Sequence, residues 1–282
     1  MVRIVVDSAC DLTKEKADAL NLDFMPLKTI FGEEEFLDGI TLSHEDFFKK
    51  LEECDDLPTT SQVSPYDFET KFEEIRKAGD TAVVITISSL LSGTFQSATI
   101  AASEYEDIVF PVDSKTLCLA EQNLVLYAVE LRDKGLSAKE IAAELDRVKD
   151  RSKLFALFDT IEYVSRGGRV SKAIAIAGNL LSIKPIISTD KGEVIIPGKA
   201  RGMKKGFSLL KDTVNGCKCV DFSMPACLGY SGLSDDILQK FIEENPEFLD
   251  GKLGTFPIST VGSTVGTHAG PGAICIAFFE VE

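Results

Sequence analysis

The stretch Ile85-Thr86-Ile87-Ser88-Ser89-Leu90-Leu91-Ser92-Gly93-Thr94-Phe95-Gln96-Ser97-Ala98 decides the fold class. It ends a β-branched run over 81–87 that predicts a buried strand, and it opens a helix-compatible segment over 94–103. Serines, a threonine and Gly93 fill the join. In an open α/β sheet, ligands bind where strands end and helices begin, because free N–H groups and the positive end of the helix dipole face that crevice. Hydroxyls without a charged partner suit a small acidic headgroup such as a carboxylate. The competing reading is that Ser88 and Ser92 only cap the helix.

Upstream, residues 2–6 predict a short apolar strand ending in Asp7-Ser8, followed by a helix that Thr13 caps. Residues 24–30 read as extended, and Gly32 marks a turn. Ser43-His44-Glu45-Asp46 resembles a capping box and starts a helix with Phe47, Phe48 and Leu51 on one face. Ser64-Pro65 is a helix-start signal, and Gly79 closes that helix. The Thr59-Thr60-Ser61-Gln62 run ahead of it is more polar than a connection requires, and it reads as a second hydroxyl-bearing loop. Downstream come a strand over 108–112, a helix over 117–134 stopped by Gly135, and a capping box at Ser137-Ala138-Lys139-Glu140. This alternation of strand and helix predicts a parallel sheet covered on both faces.

Near residue 150 the pattern changes. Strands are expected over 154–158, 226–230 and 273–281, a hairpin over 183–196 turns at Asp190-Lys191-Gly192, and helices fall at 204–213 and 234–244. The fold class is therefore α/β: an N-terminal parallel-sheet domain over 1–150 and a C-terminal mixed α+β domain over 151–282, with helices on one side of the second sheet. The stretch from Val261 to Ala273 holds four glycines around His268 and reads as a loop; it implies close backbone approach to a ligand, or a tight turn into the last strand.

A net charge of −15 argues against a nucleic-acid surface. Seven cysteines cannot all pair within the chain, and two histidines give zinc poor support. The N-terminus lacks a signal-peptide pattern, and the most apolar window, 173–187, is broken by Asn179 and Lys184, so no membrane insertion is expected and the cytoplasm is the natural setting. Ser92, Thr60 and His268 invite a serine esterase or thioesterase reading, but no G-x-S-x-G elbow or orienting acid accompanies them. Neither a Walker A nor a G-x-G-x-x-G loop is present. Arg166-Gly167-Gly168-Arg169 could hold a phosphate or an acidic partner, or could be a solvated turn.

Taken together, Asp7-Ser8, Thr59-Thr60-Ser61-Gln62, Ser88 to Thr94, Asp113-Ser114, Gly167-Gly168-Arg169-Val170, Lys184-Pro185-Ile186 and Gly266 to Gly272 resemble the DegV family of bacterial fatty-acid-binding proteins. Each block is weak alone; seven in order, spanning residues 7 to 272, are specific. The resemblance implies one long-chain fatty acid between two domains, its tail in an apolar tunnel and its carboxylate at Thr60, Ser61, Ser92, Gly93 and His268. It further implies a lipid-presenting, non-catalytic subunit of a fatty acid kinase, with the separate catalytic subunit or the acyl phosphate met by Arg169 and Arg201. No cofactor or metal is implied beyond the bound acid. A lipid-sensing module that never meets a kinase is the other family-compatible reading. Burying about 16 carbons at roughly 0.8 kcal/mol each gives about 12 kcal/mol gross, before the costs of association.

Overall fold

The computed structural model describes residues 1–169 and 182–282. Val170 of the expected Gly167-Gly168-Arg169-Val170 motif, and most of the apolar window over 173–187, lie outside these described residues.

Strand β1 (Val2–Asp7) leads through α1 (Lys14–Ala19), whose first turn is capped by the Thr13 hydroxyl, to β2 (Leu22–Met25). A hairpin follows, β3 (Lys28–Phe31) and β4 (Glu34–Leu37), with Gly32 at φ +59° in its turn. Then come α2 (His44–Glu53), β5 (Thr59–Ser61) and α3 (Pro65–Ala78). Ser64 and Asp67 form a complete capping box on α3, and Gly79 closes it in the left-handed region. The chain continues through β6 (Thr81–Thr86), α4 (Thr94–Ala102), β7 (Val109–Asp113), α5 (Cys118–Asp133) and α6 (Ala138–Val148), the last boxed by Ser137 and Glu140. Strands β2-β1-β6-β7 make a wholly parallel sheet. Its strands are apolar on both faces because both are covered: Val5 and Val84 pack with α3 and α4, while Ile4, Val6, Val83 and Ile85 pack with α5 and α6.

The Thr59–Ser61 run is an edge strand rather than a loop. It pairs antiparallel with β3, Thr60 opposite Thr29, in a small sheet of order β4-β3-β5. The extended β-branched threonines suit a strand, and three residues are too few to show the alternation that reveals one.

The second half begins with β8 (Ser152–Leu157) and a short helix α7 (Glu162–Arg166). After the undescribed residues come the hairpin β9 (Ile183–Asp190) and β10 (Glu193–Arg201), then α8 (Met203–Asn215), β11 (Cys227–Tyr230), α9 (Asp236–Glu243), β12 (Ile258–Thr260), α10 (Ser263–Ala269) and β13 (Ile274–Phe279). The sheet is mixed, in the order β10-β9-β8-β13-β11-β12, with β11 and β12 parallel. Its Phe155, Leu157, Ile276 and Phe278 face α8 and α9. The other face is not open: Leu154, Ala156, Cys275 and Ala277 meet Leu119 and Ala120 of α5. One helix of the first half thus serves both sheets, which accounts for its unusually polar yet buried run Glu121-Gln122-Asn123. Among the described residues, no helix is long and apolar enough to cross a membrane.

The glycine-rich stretch after Val261 is the main departure from expectation. Residues Ser263–Ala269 form α10. Side chains distant in sequence hold its first turn: Asp38 accepts from the N–H of Ser263 at 2.9 Å and of Thr264 at 3.2 Å, and Asp11 accepts from Gly262 N–H at 2.7 Å. Buried carboxyl groups at the positive end of a helix supply the cap that the local sequence lacks.

Candidate functional site

A cavity of ≈ 580 Å³ lies between the two large sheets, lined by β5, by the loop that follows β6, by α10, and by the β9–β10 hairpin. Thr60, Ser61, Ser92, Gly93, His268 and Arg169 all line it. Arg201 does not appear in its wall; it sits exposed at the end of β10, with Nε donating to Ser182 Oγ at 3.1 Å.

The hydroxyl-bearing end is built as follows. Asp7, at the end of β1, accepts from the N–H of Ala9 and of Ile87, both at 2.9 Å, and so fixes the start of the Ser88–Gly93 loop. Burial pushes its carboxyl up to about 7. Ser88 does not cap the helix: its Oγ donates to Gly192 O at 2.8 Å, tying the loop to the tip of the β9–β10 hairpin. Ser89 is held by Asp113, at 2.6 Å through its hydroxyl. The N-cap of α4 is Gly93, which offers its first-turn N–H groups no side chain; Ser92 Oγ, 2.9 Å from Thr94 Oγ1, reaches only the Thr94 N–H, at 3.3 Å. Gly93 lies close under the Gln62 side chain. A Cβ there would stand 1.9 Å from Gln62 Oε1, whose amide donates to Ser97 Oγ at 2.8 Å.

From the opposite side, α10 presents Thr264, Val265, His268 and Ala269. His268 Nε2 is 3.1 Å from Thr60 Oγ1. Its Nδ1 is buried without a partner, packed so close to Gly167 that a Cβ at that glycine would lie 2.2 Å away. Burial, with the Arg169 cation nearby, lowers its pKa to about 4, so the ring is neutral at physiological pH. Arg169 is exposed and folds back to donate to Gly167 O at 3.0 Å. Thr264 Oγ1 is also buried without a partner. Sequence reading passed over Thr264 because it lay within a presumed loop; as helix, Thr264 and His268 are one turn apart on one face.

The remaining wall is apolar, formed by Leu27, Ile87, Leu91, Leu117, Phe158, Val164, Ile187, Val194, Val265 and Ala269. This arrangement offers neutral donors and an open helix N-terminus at one end and hydrocarbon at the other. It suits an amphiphile with an anionic or acidic head. Ser92 bonds Thr94 rather than His268, and among the described residues no acid hydrogen-bonds the histidine in the manner of a catalytic triad. Among the described residues, no cluster of His, Cys, Asp and Glu is arranged to hold a metal ion.

The chain is similar along its whole length to proteins already characterised in structure. The family profile described as an uncharacterised protein of the DegV family matches residues 1–281. Protein DegV of Bacillus subtilis is 33% identical over 282 residues, covering 98% of each chain. A DegV domain-containing protein of Caldanaerobacter subterraneus is 32% identical, covering 99% of each. Among solved structures, a DegV family protein of Thermus thermophilus studied for its fatty acid binding superposes with a TM-score of 0.85 at 29% identity, covering 99% of each chain. The Bacillus subtilis DegV, described as a fatty acid binding protein, superposes at 0.82 with 30% identity, again covering 99% of each. With that profile match and relatives a third identical from end to end, the chain belongs to the DegV family.

Proposed function

We propose that this protein binds one long-chain fatty acid in the cavity between the domains 1–150 and 151–282, and presents its carboxylate to a separate kinase subunit. One observation carries the binding half: a single cavity has hydroxyls, an uncapped helix N-terminus and a neutral histidine at one end, and only apolar side chains beyond. The fatty acid binding of the Thermus and Bacillus relatives supports the same reading. Thr60, Ser61, Ser92 and the Gly93 backbone would hold the carboxylate, with His268 donating to it or to Thr60. Neutral donors suffice, since burial of the tail supplies the affinity.

The kinase half rests on charge. Ten Lys and Arg but only two acids fall between Arg166 and Lys211, in a chain whose net charge is −15. Arg169 at the cavity and Arg201 on the exposed strand end belong to this run, which suits an acidic partner surface or a phosphate donor. In such a complex a carboxylate oxygen would attack the γ-phosphorus of ATP held by the partner, ADP would leave, and an acyl phosphate would form. The chain would contribute no catalytic group of its own and would work in the cytoplasm as an accessory subunit.

Native mass spectrometry of freshly purified protein, followed by lipid extraction, tests the binding half. One fatty acid per chain is expected, and an apo mass unchanged by palmitate and oleate would overturn it. Incubating the loaded protein with a cognate kinase subunit and ATP, then trapping acyl phosphate as its hydroxamate, tests the other half.

A further inference from the structure

Glu121 lies in the first turn of α5, fully buried, and among the described residues neither of its oxygens meets an N–H, a hydroxyl or a cation. Burying such a group costs free energy that an apolar side chain of similar size would not. The group it does reach is another acid. Helix α5 packs on β1 and on the turn over Ser8–Cys10, which brings the Glu121 carboxyl group within hydrogen-bonding reach of that of Asp7. Cys10 and Asp11 from the turn, Asp38, and Asp113 at the end of β7 face the same space, with Cys118 of α5 beside Asp11. In such acidic surroundings a second negative charge on the pair is disfavoured. The two members are not equivalent. Both Asp7 oxygens accept backbone N–H groups, from Ala9 and from Ile87, whereas Glu121 accepts none. N–H donors favour the ionised form, so the charge belongs on Asp7 and the hydrogen on Glu121.

We infer that Glu121 is a positioning residue for the headgroup loop: as a neutral acid it donates its hydrogen to the Asp7 carboxylate, and so holds in place the oxygen that fixes the Ile87 N–H. That hydrogen is the partner that both carboxyl groups otherwise lack. Ile87 lines the cavity, and the loop that carries Ser92 and Gly93 begins one residue later. Glu121 is absent from the cavity wall, so it acts through Asp7 alone. Because α5 packs on both large sheets, the polar end of the cavity is thereby tied to the helix that joins the two halves. The inference rests on the fatty-acid reading above for the ligand that the loop holds, and deepens it by naming what sets the loop.

Wild type, Glu121→Gln and Glu121→Leu are compared at pH 8 by displacement of a fluorescent fatty acid, by the NMR signal of the Ile87 amide, and by the infrared carbonyl band of protonated carboxylic acids. The glutamine amide can still donate to Asp7. Glu121→Gln should therefore keep the wild-type affinity and Ile87 signal while losing part of the infrared band. Leucine fills the space and donates nothing. Glu121→Leu should hold or gain thermal stability, yet it should move the Ile87 signal and bind about 5-fold or more weakly, the usual scale for a lost bond to a charged group. Wild-type affinity and an unmoved Ile87 signal in Glu121→Leu would overturn the inference alone. An infrared band unchanged in Glu121→Gln would also overturn it, and this decides the matter where the leucine variant fails to fold. A wild type that binds no fatty acid overturns the fatty-acid reading, while the Ile87 signal and the infrared band still decide whether Glu121 holds Asp7.

Discussion

Thr60 Oγ1 and His268 Nε2 lie 3.1 Å apart although 208 residues separate them in sequence. The contact joins the edge strand of the small sheet to a helix of the second half, and it sits in the cavity wall. Removing the hydroxyl leaves the imidazole without its one partner in a buried setting. Thr60→Ala should therefore weaken fatty acid retention by about 1–3 kcal/mol, roughly 5- to 150-fold in Kd, the usual cost of an orphaned buried group. Thr60→Ser should retain most of the affinity. Displacement of a fluorescent fatty acid measures both, and equal affinity in all three proteins would remove Thr60 from the headgroup site.

The lowered pKa of His268 has a definite sign. Its folded value, about 4, lies below the ordinary 6.5, so the unfolded chain binds the proton more readily. The neutral ring contributes stability that is present above pH 6.5 and is lost as pH falls toward 4. Thermal unfolding across that window should show a smaller acid-side loss in His268→Gln than in wild type. An NMR titration of the ring should show no inflection between pH 6 and 8.

Glu121 of α5 is fully buried, and neither of its carboxyl oxygens has a hydrogen-bond partner. Burial raises its pKa well above the usual range, reinforced by the neighbouring charges of Asp7 and Asp11. Asp11 is raised in the same way, and Asp7 to about 7. Here the native state holds the protons, so stability falls as pH rises from about 4 through 7 and beyond. Glu121→Gln removes one member of this set, and it should raise Tm at pH 8 while leaving it nearly unchanged at pH 5. A drop in Tm at pH 8 would show that the ionised carboxylate is needed.

Gly93 in the cavity wall and Gly270, at the end of α10, should respond very differently to alanine. At Gly93 the obstructing atom is the far end of the exposed Gln62 side chain, which can swing away at the loss of its bond to Ser97. Gly93→Ala should cost only about 1 kcal/mol of stability. At Gly270 the backbone has φ +68°, and a Cβ would stand 2.1 Å from the Tyr163 ring. Gly270→Ala should cost about 2–4 kcal/mol, through strain and overpacking together. Urea unfolding of both variants checks the order.

What could be read from the chain is what local chemistry writes into it. Ser64-Pro65 and Ser137 to Glu140 start helices because the capping atoms lie within three residues of the N–H groups they satisfy. The serine-rich turn after β6 was legible for the same reason. Helix α10 was not. Gly262, Gly266 and Gly270 lower its intrinsic propensity, but Gly266 is demanded by Phe47, whose ring edge would be 2.6 Å from a Cβ there, and the cap comes from Asp38 and Asp11. Those partners are more than 220 residues away. The same distance hid Thr264. Arg201, expected from sparse sequence context as a partner or phosphate contact, lies outside the cavity and exposed at the end of β10.

Helix α10 carries His268 at the polar end of the cavity and Val265 and Ala269 in its apolar wall. Both functions ride on one seven-residue rod, bolted by Asp38 and Asp11 to the half of the molecule that also supplies Thr60 and Ser92. The spacing from head to wall is thus dictated by helical pitch, at 1.5 Å per residue, and not by how tightly the two sheets close. The side chain that faces the head of an occupant and those that first touch its tail are therefore set in register by one helix rather than by the meeting of two halves.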